Sequence, residues 1–287
     1  MKKKISICVP VLNEEKNIKI LVNKVNHFFK INLKNKFKYE IIFTDNASTD
    51  QTQSEVVRLK KKFKNIKYYR FIKNVGYDLS LLKNYQLSNG DAAISIHCDL
   101  QDPIEKIKIF LDNWNRGYDL VYGKIIQRNE GPLLTFLRRS YYYIFNFLCF
   151  KNKKLPVNAV DFRLIDKKII SEIKKYNQNY QYARGLTFFL SKKSTYVNYV
   201  RKNRRFGKSK FNIKNSIIYA IASIISNTDL NKFCILGIII SLFILSNQSQ
   251  LSIIIYWLLS FFSLIIIIST GLFKTNIKSI KYSKIIK

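Results

Sequence analysis

Residues Gly90–Pro103, GDAAISIHCDLQDP, carry an apolar run that stops abruptly among oxygen-bearing side chains. Ala92–Ile96 reads as a short buried strand entered from Asn89–Gly90, with Asp99 and Gln101 just beyond it. A carboxylate and an amide two positions apart at a strand end point the same way. Hard oxygens in that arrangement suit Mg²⁺ or Mn²⁺, and such a cation would hold a diphosphate. The stretch also reads as a strand leading into a helix, with Asp102 as its cap and Pro103 in its first turn. Two more polar clusters, Pro10–Asn13 and Asp45–Asp50, follow apolar runs in the same way.

These clusters need elements to place them. Ile5–Val9 is a first strand, closed by Pro10. After Asn13-Glu14-Glu15, apolar residues at Ile18, Leu21, Val22, Val25, Phe28 and Phe29 give an amphipathic helix with acidic residues in its first turn. Strands follow at Tyr39–Thr44, Lys67–Ile72, Ala92–His97 and Asp119–Gly123, with a helix to about Phe63 after the second. Further strands are expected over Asp161–Leu164 and near Thr195–Val200. Strands alternating with helices predict a mostly parallel sheet covered on both faces. Ligands gather at the carboxyl ends of such strands, where all three polar clusters fall.

Composition points to an anionic partner: 50 Lys+Arg against 18 Asp+Glu give a formal charge of +32. Nucleic acid, anionic lipid and phosphorylated small molecules all meet that description. Two long apolar runs favour lipid. Leu251–Phe273 is a 23-residue run without charge, enough to span a bilayer, and Phe233–Leu245 is a shorter companion. Lys232 and Arg201–Lys214 precede the pair and Lys274, Lys278, Lys281, Lys284 and Lys287 follow it, which predicts a hairpin with both ends and the catalytic domain in the cytoplasm. Ile213–Ser226 is an amphipathic lead-in. Pro132–Phe150 is helical and apolar around most of its circumference. It is either a core helix or one lying at the membrane surface with its tyrosines at headgroup level. The basic loop Arg201–Lys210 is a solvated run, an attractor of anionic headgroups, or a clamp on phosphates. Cys8, Cys98, Cys149 and Cys234 are scattered, which predicts reduced thiols and neither a zinc site nor a disulfide framework. No signal peptide is expected.

Taken in order, several blocks resemble family 2 glycosyltransferases of the GT-A fold. Val9-Pro10-Val11-Leu12-Asn13-Glu14-Glu15 is similar to the VPVYNEE opening, and Asp45–Thr52 to DDGSxDxT. Asn74-Val75-Gly76 with Gly90-Asp91 resembles NxGxxxA…GD, and Asp99–Pro103 resembles the DLQDP metal motif. Asp161–Leu164, Arg184–Leu186 and Arg201–Lys210 resemble the DFRL, RGL and RxxRxxGxSK blocks of the polyprenyl-phosphate branch, the relatives of bactoprenol glucosyltransferase and dolichol-phosphate mannose synthase.

The resemblance implies an α/β, Rossmann-like GT-A domain over residues 1–210, a juxtamembrane amphipathic helix over 211–230, and a two-helix transmembrane hairpin with a basic tail over 231–287. It implies that Asp99 and Gln101 hold Mg²⁺ or Mn²⁺, and that Asp161, Asp99 and Arg205 carry the chemistry. Pro10, Asn13, Glu15, Asp45, Ser48, Asp91 and Lys208 would bind the nucleotide sugar, with Asp45 on the base and Arg201 helping to close over the diphosphate. Arg128, Arg138, Arg139 and Ser140 would hold the acceptor phosphate, for which guanidinium forks are suited. A phosphate monoester, with a second pKa of about 6, needs little help from a base, so Asp161 is expected to orient more than to deprotonate. Two positions depart from the pattern. His97 stands where relatives have the first Asp of DxD, and reads as a packed strand-end residue before a metal ligand, because Mg²⁺ prefers oxygen. Asn46 replaces the second Asp of DDGS.

The expectation is therefore an inverting, metal-assisted glycosyltransferase. It would move a sugar from a nucleotide-diphosphate donor, UDP favoured, to a membrane polyprenyl phosphate at the cytoplasmic face of the plasma membrane. The alternatives are another acceptor, glycan or lipid, or a catalytically degenerate membrane-bound homologue that only binds the nucleotide sugar. Nucleic acid is not an expected partner; a homo-oligomer is compatible with the hairpin.

Overall fold

The computed structural model describes residues 2–127, 131–148, 154–175, 182–202, 204, 206, 220 and 223. The chain divides into two compact units, one of Met1–Phe136, Leu155–Lys210 and Lys281–Lys287, the other of Leu137–Lys154 and Phe211–Ile280.

The first unit is built on a seven-stranded sheet. In chain order its elements are β1 (Lys4–Val11), α1 (Glu15–His27, continued by a π-helical turn over Phe28–Asn32), β2 (Lys38–Asp45), α2 (Thr52–Lys62), β3 (Ile66–Arg70), α3 (Tyr77–Leu87), β4 (Ala92–Ser95), α4 (Ile107–Asn115) and β5 (Leu120–Ile125). Then come β6 (Ala159–Asp166), α6 (Lys167–Lys175), α7 (Ala183–Leu190) and β7 (Ser194–Tyr199); α5 (Pro132–Leu148), between β5 and β6 in the chain, belongs to the second unit from Leu137 onward. The strand order is β3-β2-β1-β4-β6-β5-β7, and among the described strands β6 alone runs against the rest.

Side-chain alternation divides the core into two layers. Ile7, Val9, Ile94, Phe162 and Leu164 face α1, α2 and α4, packing with Ile18, Val22, Val56, Ile107 and Phe110. Their neighbours Cys8, Ala93 and Ile165 face α3, α6 and α7, against Leu81, Tyr85, Ile169 and Leu186. Strands sandwiched in this way need apolar residues on both faces, which is why β1 and β4 read as unbroken runs rather than alternating ones.

Chain direction sets where chemistry can gather. β1, β2 and β4 are parallel, so Val11, Asp45 and Ser95 all end at one edge. β6 is antiparallel to β4, with Ser95 opposite Arg163, so the start of β6 and Asp161 reach that same edge. β7 runs parallel to β5 and brings Arg201, Lys202 and Arg204 there as well.

Two expectations change. The fourth strand stops at Ser95 instead of His97, because the His97 backbone N–H and ring both turn to Asp102 and leave the ladder. Asp102 is not a helix cap: a 3₁₀ turn at Ile104–Lys106 leads into α4 with no side-chain cap. Helix α5 is only partly a core helix. Tyr142 and Phe145 are buried, while Leu133, Phe136, Leu137, Tyr143, Ile144 and Phe147 stay exposed. Of its tyrosines Tyr143 is the exposed one, at 75 %, so Tyr142 is a packed residue instead of a headgroup contact.

Among the described residues no helix is long and apolar enough to cross a membrane. The expected amphipathic helix, apart from Ala220 and Ser223, and the expected hairpin lie outside the described residues. So do Cys149 and Cys234, while Cys8 and Cys98 are buried and form no disulfide among the described residues.

Candidate active site at the carboxyl edge

The turns after β1 and β2 interlock. The Asn13 backbone N–H donates to Ser48 Oγ at 2.9 Å, and Asn13 Oδ1 accepts from the Thr49 N–H at 2.8 Å. Glu15 Oε2 accepts from the Gln51 N–H at 2.9 Å. Pro10 is buried in β1 beside Thr44. Asp45, wholly buried, accepts from Ser48 N–H and Oγ on one oxygen, and from Tyr68 and Arg70 at 2.5 and 3.3 Å on the other. Arg70 also donates to the Ser48 carbonyl at 2.8 Å. The pairs Asn13–Ser48 and Asp45–Arg70 thus fix a rigid polar ledge over the ends of two strands.

Asn46, where the family pattern has Asp, has a definite local use. Its Nδ2 donates to Asn74 Oδ1 and its Oδ1 accepts from the Val75 N–H, both at 2.7 Å. A carboxylate has no proton to give Asn74. The amide therefore ties the β2 turn to the segment that opens α3, where Gly76 sits at φ 84°.

Backbone strain concentrates here. Asn13, Ala47, Leu100 and Asn158 have positive φ, following β1, β2 and β4 and preceding β6. For Ala47 and Leu100, with no side-chain amide to compensate, the left-handed region costs about 1–2 kcal/mol. Such strain is characteristic of sites whose geometry is over-determined by their surroundings.

Past β4, Asp99 and Gln101 lie one on each side of the strained Leu100. Asp99 is buried, accepts from the Gln101 N–H at 3.2 Å, and pairs with Arg204 at 2.9 Å. Gln101 exchanges two bonds with Lys202: its Nε2 donates to the Lys202 carbonyl at 3.0 Å and its carbonyl accepts the Lys202 N–H at 3.1 Å. Among the described residues Gln101 Oε1 has no partner, so the same turn offers one carboxylate and one amide oxygen. No group of three or more His, Cys, Asp or Glu side chains gathers there or elsewhere among the described residues. Mg²⁺ ordinarily takes one or two carboxylates and completes its shell with water and substrate phosphates, so this donor pair fits it.

His97 is turned away from that pair. Its Nδ1 meets Asp102 Oδ2 at 2.6 Å, its Nε2 meets the Tyr77 hydroxyl at 3.1 Å, and its ring stacks on Tyr77. Asp102 also accepts from Tyr199 at 2.7 Å. Burial pulls the imidazole pKa down, and the Asp102 carboxylate more than offsets it, leaving His97 above its ordinary value. Both ring nitrogens are engaged, as suits a packed residue.

Asp161 completes the edge. Its carboxylate is buried and clasped by Arg184, at 2.6 and 3.2 Å, with Arg163 at 3.4 Å. Arg163 is itself held by the Val160 carbonyl and Thr187 Oγ1, and Ser95 Oγ donates to the Asp161 carbonyl. Burial pushes the Asp161 carboxyl up, but Arg184 and then Arg163 outweigh it and hold it well below the usual carboxylate range. It stays ionised across the neutral range and is a poor proton acceptor.

The edge thus unites Pro10, Asn13, Glu15, Asp45, Ser48, Asp99, Gln101 and Asp161. Asp91 is the exception to the expected grouping. It precedes β4, accepts from the Lys4 N–H at 2.8 Å and faces Lys167, at the opposite edge of the sheet. Arg138, Arg139 and Ser140 lie on α5, Arg139 exposed and the other two half-buried. Arg128, Arg205 and Lys208 lie outside the described residues. Sequence reasoning passed over Arg70, Tyr77, Asp102, Tyr199 and Arg204. Arg204 was within reach: counted from Arg201, the R-x-x-R spacing lands on it and not on Arg205. Arg70 and Tyr77 leave no local signal, since only the fold brings them to Asp45 and His97.

The chain is similar to known proteins. Residues 6–174 match the family model described as glycosyl transferase family 2. An uncharacterized glycosyltransferase of Synechocystis is 30% identical over 250 residues, 86% of this chain and 77% of that protein. A prophage bactoprenol glucosyl transferase homolog of Escherichia coli is 32% identical over 210 residues, 73% of this chain and 67% of that protein. The structure of glucosyl-3-phosphoglycerate synthase from Mycobacterium tuberculosis in complex with uridine diphosphate aligns with a TM-score of 0.51, covering 78% of each chain at 15% identity, a likeness of fold alone.

Proposed function

The chain belongs to glycosyl transferase family 2, and from that premise we propose that it moves a sugar from a nucleotide-diphosphate donor, a UDP-sugar first, onto a membrane polyprenyl phosphate. The observation that carries this reading is the meeting of Asp45 from the end of β2, Asp99 and Gln101 from the turn after β4, and Asp161 from β6 at one sheet edge. The bactoprenol name of its Escherichia coli relative supports the acceptor.

A phosphate oxygen of the lipid attacks the anomeric carbon as the bond from that carbon to the diphosphate breaks, with inversion. Mg²⁺ or Mn²⁺ bound at Asp99 and Gln101 would neutralise charge on the departing diphosphate. The ledge of Asn13, Glu15, Asp45 and Ser48 holds the nucleoside. Asp161, kept ionised by Arg184 and Arg163, orients the reacting groups and takes up no proton; the acceptor phosphate is already largely ionised at neutral pH. Arg138, Arg139 and Ser140, with Arg128, hold the acceptor phosphate, and Arg201, Arg205 and Lys208 close over the diphosphate. The exposed apolar stripe of α5 supports a seat at the membrane surface. The uncharged run Leu251–Phe273 supports a membrane hairpin with the catalytic domain on the cytoplasmic face.

The test is an assay of the purified chain in detergent with undecaprenyl phosphate and a panel of nucleotide sugars. Lipid-linked sugar from one donor is the expected product. Labelled sugar appearing only on glycan or diacylglycerol lipid would replace the acceptor. Nucleotide binding without turnover on any acceptor would mark a degenerate homologue.

A further inference from the structure

Lys202 and Arg204 meet the turn after β4 in two different ways. At Gln101, the contact is a pair of hydrogen bonds to the Lys202 backbone, made by the Gln101 carbonyl and Nε2. That contact leaves Gln101 Oε1 uncommitted. At Asp99, the contact is an ion pair: the Arg204 guanidinium lies 2.9 Å from Oδ2, with Asp99 4% and Arg204 24% exposed. Asp99 Oδ1 accepts the Gln101 N–H at 3.2 Å, so each oxygen of this buried carboxylate already has a donor, and only the one on Oδ2 is charged.

A buried carboxylate needs a positive partner. Asp99 has one supplied by its own chain, in the place a divalent cation would take. The two contacts differ in compatibility with that cation. The Gln101–Lys202 pair survives coordination through Oε1. The Asp99–Arg204 pair does not, because a cation on this carboxylate and a guanidinium 2.9 Å from one of its oxygens repel each other.

We propose that Arg204 is a built-in counter-ion for Asp99, and that a divalent cation enters this site by exchange with its guanidinium while Lys202 stays hinged on Gln101. The proposal rests on the reading that Asp99 and Gln101 form the cation site. It accounts for how a buried carboxylate with so few companions persists before donor and cation arrive. It also makes cation affinity a property of two segments a hundred residues apart in sequence instead of the DLQDP turn alone.

Manganese binding to the full chain, read by the electron paramagnetic resonance signal of free Mn²⁺, separates the possibilities. Arg204→Gln removes the competitor and is expected to bind Mn²⁺ about fivefold more tightly than wild type, the size of a modest ion pair. Asp99→Asn is expected to abolish binding. Arg204→Lys keeps the charge without the fork and falls between wild type and Arg204→Gln; it serves alone if Arg204→Gln does not fold. Unchanged or weaker Mn²⁺ binding in both Arg204 variants, with binding still lost in Asp99→Asn, overturns the exchange and leaves the cation site standing. Asp99→Asn binding as wild type does, or no Mn²⁺ bound by any form, overturns the cation site and the exchange with it.

Discussion

The two edges of the sheet each bury a carboxylate among basic side chains, and they do so to different ends. At the amino edge Glu40 accepts from Lys4, Lys67, Ser6 and the Asn89 N–H, at 2.7, 2.8, 2.7 and 3.1 Å. Each oxygen is answered by donors on neighbouring strands and turns, and Gly90 closes against Ser6 with no room for a side chain. At the carboxyl edge Asp99 leans on one guanidinium from a distant segment, Gln101 keeps a free oxygen, and the intervening residue is strained. Arg201 Nε is buried there with no partner among the described residues. One edge is finished by its own chain. The other holds strain and exchangeable partners, which is what a binding site requires before its ligand arrives.

Substitutions can break or sharpen that contrast. The largest expected effect is at the amino edge. In Gly90→Ala the new Cβ would lie 2.6 Å from the Ala92 carbonyl oxygen and 2.8 Å from the Ser6 nitrogen, both backbone atoms that cannot swing away. A loss of about 3–4 kcal/mol is expected, read from the urea midpoint.

Glu40→Gln comes next. Burial raises the Glu40 carboxyl, but Lys4, Lys67 and Ser6 together bring it from an ordinary 4.5 to about 2. A carboxyl depressed on folding contributes stability that is complete above its unfolded pKa and lost as pH falls through the folded one. Wild type should therefore weaken between about pH 4.5 and 2. The glutamine variant should lose on the order of 2–3 kcal/mol at neutral pH and show a flatter acid limb. An unchanged limb would mean that Glu40 is not the titrating group.

The smallest effect has the opposite sign. Ala47→Gly relieves a φ of 60° at the carboxyl edge and should stabilise the fold by about 1 kcal/mol. Destabilisation there would show that the strain is not real.

Much of this fold was legible because parallel strands buried on both faces must be written as apolar runs, and runs such as Ile5–Val9 and Tyr39–Thr44 have no other plausible use. The polar clusters after them were legible for the same reason, since a run that ends in Asp45 or Asp99 has reached the rim. Pairings across the fold were not. Nothing near His97 says that Asp102 and Tyr77 will hold its two nitrogens, and nothing near Asp45 announces Arg70. The misplacement of Asp91 is of another kind. Asp91 and Asp99 flank the same four-residue strand, so they must emerge at opposite edges, about 13 Å of strand apart. Strand direction alone was enough to separate them; assigning Asp91 to the nucleotide-sugar site by resemblance left it unused.

That pair also offers the most direct test. Sugar transfer to undecaprenyl phosphate is measured for Asp91→Ala and Asp99→Ala side by side, with folding checked by thermal melting. A carboxyl-edge active site predicts a loss of about a hundredfold or more for Asp99→Ala, and for Asp91→Ala a rate within about threefold of wild type, the range of a surface change. Full activity in Asp99→Ala, or an equal loss in a well-folded Asp91→Ala, would contradict it.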